Sequence, residues 1–126
     1  MRVVFLVITA AFALAAAFHL VAIVTPDIAE PSPPWRHLLF AATNGAVAVG
    51  MLRRPRLFVV AFALLTVQQV VSHGLYAAKL WSTEGRVDWA SAVVLVSMPT
   101  VLALLLFDAK RTPSGGAVPQ WASSPP

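Results

Sequence analysis

Three imidazoles and no thiol are present in this chain. His19, His37 and His73 are therefore the side chains best suited to ligate a transition metal, to hold haem axially, or to pass a proton near neutral pH. Around His73 the stretch QQVVSHGLYAAKLW, residues 68–81, adds Gln68, Gln69, Ser72, Tyr76 and Lys79 to surroundings that are otherwise apolar. Without cysteine, disulfides, thiolate metal sites and cysteine nucleophiles are excluded. No two histidines stand four residues apart, so a metal or haem would have to draw its ligands from different segments.

The segments that must position these groups are set by composition. Hydrophobic residues make up 59% of the chain and charged residues 11%, and the mean hydropathy is +0.79. A soluble domain averages about 25% charged residues, so a lipid bilayer is the expected solvent. The apolar residues come in blocks close to the ~20 that span ~30 Å of hydrocarbon as a helix. Four spans follow, at about residues 3–25, 35–52, 57–81 and 89–107, with prolines or arginines at the breaks. Short connections force successive helices to run antiparallel. The expected fold is all-α, an integral membrane four-helix up-down-up-down bundle over residues 1–108. Residues 109–126, rich in Pro, Ser and Gly, read as a disordered cytoplasmic tail.

The net charge of +4 does not form a basic stripe with aromatics, which argues against nucleic acid; anionic lipid headgroups are the expected counter-charge. Arg2, Arg53, Arg54, Arg56, Lys110 and Arg111 fall on one side of the bundle, and Arg36, Lys79 and Arg86 on the other. Basic residues near span ends are retained inside. The orientation expected is both termini cytoplasmic, in a bacterial inner membrane. Asp27, Glu30, Glu84 and Asp88, with Trp35, Trp81 and Trp89, then mark the outer face. A competing reading has residues 1–17 removed as a signal peptide, but the apolar run continues through Phe18 to Val24, beyond the usual ~7 to 15 residues of a signal core.

Polar side chains inside a span face the bundle interior or water. Thr66, Gln69, His73 and Tyr76 share one stripe of the third span, and Gln68 and Ser72 another. His37 and Asn44 share a face of the second span with Ala41 and Ala48, while His19 shares a face of the first with Ala15 and Ala22. Ala42, Ala46 and Gly50 form a small-residue series of the kind that lets helices approach closely in lipid. Pro99 frees the carbonyl of Leu95, with Ser97 and Thr100 nearby. By residue count His37 lies about 3 Å below the outer interface, and His19 and His73 about 9 to 12 Å below it.

An outward-facing polar pocket built from His19, His37, Asn44, Gln69, His73 and Tyr76 is the candidate site. As a binding site it would take a metal or haem through His19, His37 and His73, or a lipid or quinone; His19 and His73 are the pair at matched depth. As structure, the same groups tie helices together in a small accessory subunit, partnered by a second copy or by a larger membrane protein. Asp27 and Asp88 are expected to be solvated interface carboxylates, the alternative being that they orient a histidine from the loops. No catalytic triad order, phosphate-binding glycine loop, paired carboxylates within a span or zinc-protease motif occurs, so enzyme chemistry ranks below both.

Overall fold

The computed structural model describes residues 1–25 and 32–111. Asp27, Glu30 and the segment from residue 112 onward, which includes most of the expected tail, lie outside the described residues. Among the described residues four helices are present: α1 (Arg2–Val24), α2 (Pro34–Arg53), α3 (Arg56–Glu84) and α4 (Trp89–Arg111). The fold is all-α and up-down-up-down. Asp108 to Arg111, whose character alone assigns them largely to the tail, continue α4.

Each helix boundary has a local cause. Thr25 closes α1, donating both its backbone N–H and its hydroxyl to the carbonyl of Val21. Pro34 opens α2 at its first turn, where a missing N–H costs nothing. Arg54 closes α2 in the left-handed region at φ 45, and Pro55 prevents continuation. Gly85 takes φ 62 after α3, a conformation glycine adopts freely. Asp88 precedes α4 and accepts from the backbone N–H of Ala90 at 3.2 Å, the work of an N-cap.

α1 packs along α2, and α3 along α4, giving two antiparallel hairpins. They join in one apolar core of Phe5, Val47, Met51, Phe62, Met98, Val101 and Leu105. Phe5 lies near the start of α1, Met51 near the end of α2 and Leu105 near the end of α4. The core thus sits at the end of the bundle opposite the histidines. The rings of Phe12 and Phe58 meet Phe62 there, at centroid distances of 6.3 and 5.8 Å. Arg54 clasps the same end: its guanidinium is 2.8 Å from the Asp108 carboxylate and 4.6 Å above the ring of Phe5.

α1, α3 and α4 are long and apolar enough to cross a membrane. α2 does not reach that measure, because Trp35, Arg36 and His37 occupy its first turn and Asn44 interrupts it. Its apolar stretch from Leu38 to Leu52 covers roughly 22 Å at 1.5 Å per residue, short of ~30 Å of hydrocarbon. The face of α2 turned inward carries buried His37, Ala41 and Ala48, whereas Ala42 and Ala46 are exposed. Of the small-residue series Ala42, Ala46 and Gly50, Gly50 meets another helix closely, lying against the ring of Phe58 of α3, while the two alanines face away. In α4, Thr100 donates to the carbonyl of Val96 at 2.7 Å, not to that of Leu95, and the helix continues unbroken through Pro99.

Candidate functional site

Each hairpin holds one histidine-centred polar contact at the end away from the core. In the first, His19 and His37 meet through their Nδ1 atoms at 3.2 Å. Antiparallel pairing causes this, since residue 19 near the end of α1 must lie beside the first turns of α2. His37 is buried, at 8% exposure. The His19 ring is lined by aromatics, stacking on Phe40 at 5.1 Å and meeting Phe18 edge-on at 5.6 Å. At such a contact one nitrogen donates and the other accepts, so the two rings hold opposite tautomers when both are neutral.

The second hairpin holds a three-membered chain. Ser91, on the first turn of α4, is completely buried at 0% exposure. Its hydroxyl donates to the Asp88 carboxylate, and its oxygen lies 2.8 Å from Nδ1 of His73 on α3. Since the single hydroxyl proton points at Asp88, Nδ1–H of His73 is the donor to Ser91. The Ser91 hydroxyl, helped by the backbone N–H groups of Ser91 and Ala90, holds the Asp88 carboxyl below the usual carboxylate range. An open cavity of about 180 Å³ lies beside this chain, lined by Ala77, Trp81, Arg86, Val87, Asp88 and Leu95 among others.

The remaining sequence candidates go elsewhere. Asn44 donates to the carbonyl of Phe40 on its own helix at 2.8 Å. Gln69 is bonded to Gln68 at 2.9 Å, and Tyr76 is 48% exposed on the outer surface of α3. Thr66 is buried and donates to the carbonyl of Phe62. The stripe from Thr66 to Tyr76 therefore divides, with Thr66 and His73 turned inward and Tyr76 outward. His19 and His37 share one hairpin, while His73 is engaged in the other. Among the described residues no three His, Asp or Glu side chains come close enough to hold one metal ion.

Ser91 is the residue that sequence reasoning misses. The available signal was Asp88 followed three residues later by a serine at the start of an apolar run, the pattern of an N-terminal helix cap. What that pattern does not disclose is that antiparallel pairing sets His73 beside the same hydroxyl. The chain matches no family model, no curated protein and no solved structure at a significant level.

Proposed function

We propose that this is a multi-pass integral membrane protein of the bacterial inner membrane, with α2 crossing against α1 despite its shorter apolar stretch and both termini cytoplasmic, serving as a structural or accessory subunit. The observation that carries the reading is that both histidine contacts are closed within a hairpin: His37 answers His19, and Ser91 answers His73. Polar groups satisfied in this way hold neighbouring helices together in lipid at about 0.6 to 2 kcal/mol each. The placing of Arg2, Arg53, Arg54, Arg56, Lys110 and Arg111 on one side supports the orientation. A reporter active only in the cytoplasm, fused after residue 126, is expected to be active; activity from a reporter that works only outside the cytoplasm would reverse the orientation. For function, co-purification of a stoichiometric membrane partner is expected, from protein that is folded and colourless.

A second reading rests on the 3.2 Å between the Nδ1 atoms of His19 and His37. Two imidazoles bound to one metal at about 2.0 to 2.1 Å in tetrahedral array stand roughly 3.3 Å apart. The pair fits half of such a site, the other ligands coming from solvent or a partner. Metal content of gently purified protein, and its loss in His37→Ala, tests this reading. Retention of an equal metal content in His37→Ala would end it.

A further inference from the structure

Taking the membrane reading as its basis, we infer that α3 pairs with α3 of a second copy of this chain, in parallel, around Gln68. Leu57, Ala61, Leu64, Gln68, Val71, Leu75 and Ala78 succeed one another at alternating steps of four and three residues, and every one of them is exposed. Leu57 is 79% exposed, and Leu64 and Leu75 are each 69% exposed. That alternation is the seam of a left-handed coiled coil. It runs for roughly 32 Å at 1.5 Å per residue, close to the ~30 Å of hydrocarbon. The opposite side of α3 is occupied: Phe62 enters the core, and His73 is bonded to Ser91 of α4.

Gln68 stands in the middle of this seam, where neither lipid tails nor water can satisfy it. Its oxygen accepts from Gln69 at 2.9 Å, and one N–H reaches Ser72 only at 3.4 Å. A carboxamide offers two N–H donors and two acceptor lone pairs, so one donor and one lone pair are left for another molecule. The partner must therefore present both a donor and an acceptor at the same depth. A second copy does so of necessity. All copies insert with one orientation, so a two-fold axis along the membrane normal places Gln68 opposite Gln68, each donating to the other. A single polar residue at a seam position fixes register and favours one oligomeric state. Ala61 and Ala78 let the backbones approach at both ends of the seam.

The chain contains no cysteine, so single cysteines report proximity without background. In oxidised membranes, Leu64→Cys, Val71→Cys and Leu75→Cys are expected to give disulfide-linked dimers of this chain. Val93→Cys and Val96→Cys, on the exposed side of α4, are expected to stay monomeric. Gln68→Leu should weaken association by about 3- to 20-fold, measured by energy transfer between labelled copies, while Gln68→Asn should retain most of it. Absence of linked dimers from protein that resists an alkaline wash of the membrane overturns the pairing and leaves the membrane reading intact. Equal linkage at α3 and α4 positions, linkage of the seam to a different protein, or unaltered association in Gln68→Leu also overturns it. Release of the chain by the wash overturns both.

Discussion

Replacing Ser91 by alanine isolates the contribution of the polar chain in the second hairpin. The substitution removes one oxygen that is fully buried and that links Asp88 to His73. The bond to His73 is worth about 1 kcal/mol net. The bond to Asp88 adds little, because that carboxylate sits at the open rim, where water takes the place of the hydroxyl. Leaving the Nδ1–H of half-buried His73 without an acceptor adds about 1 kcal/mol. The expected loss is roughly 2 kcal/mol, or about a 30-fold shift in the folding equilibrium. Unfolding in mixed micelles, followed by helical circular dichroism as denaturing detergent is raised, measures it. Ser82→Ala is the control, since Ser82 is exposed and bonds only within α3, to the carbonyl of Lys79, and it should change stability by less than about 0.5 kcal/mol. The double variant with His73→Ala should lose less than the sum of the two singles, by about 1 kcal/mol. Ser91→Ala as stable as Ser82→Ala, or strict additivity in the cycle, would refute the link between α3 and α4 through this hydroxyl.

Three further outcomes follow from the same geometry. A Cβ on Gly50 would lie 2.2 Å from ring atoms of Phe58, so Gly50→Ala should cost about 1 to 3 kcal/mol, measurable in the same unfolding assay, although alanine is otherwise the better helix former. Arg54 combines a left-handed backbone with the Asp108 contact; Arg54→Ala should therefore be less stable than Arg54→Gly by about 1 kcal/mol, both being weaker than wild type in thermal denaturation. Asp88 has its folded-state pKa lowered by Ser91, so its contribution is full above the ordinary carboxyl range and lost as pH falls through the lowered value; an acid titration of stability should show this loss in wild type and not in Asp88→Asn.

The helices were legible because their causes are local: apolar blocks of spanning length, closed by Thr25, by Arg54 with Pro55, and by Gly85. The all-α fold and its up-down order follow from those blocks and the short links. Which face of each helix turns inward was less accessible. Ala41 and Ala42 are neighbours in sequence and chemically identical, yet Ala41 is buried and Ala42 exposed, a difference decided by how α2 lies on α1. The same limit applies to the histidines. Their depth is a matter of counting residues, but pairing into hairpins selects His37 as the partner of His19 and Ser91 as the partner of His73. α2 shows a further limit, since its helical length resembles a span while His37 and Asn44 shorten its apolar part.

The two ends of the bundle are held by different physics, and this bears on how it would meet a partner. In hydrocarbon, burying Phe62 or Leu105 against another helix gains little over burying it in lipid; close packing and polar ties decide which helices associate. Phe12 against Phe62, Phe58 over Gly50 and Arg54 between Phe5 and Asp108 join the two hairpins, and all lie towards the core end. At the other end the ties run within hairpins, from His19 to His37 and from His73 to Ser91 and Asp88. Relative movement of the hairpins therefore meets most resistance at the core end and least at the histidine end. Each hairpin keeps its own histidine contact during such movement. Under the accessory-subunit role proposed above, the histidine end would adjust to a neighbouring membrane protein with both histidine contacts still closed inside the hairpins.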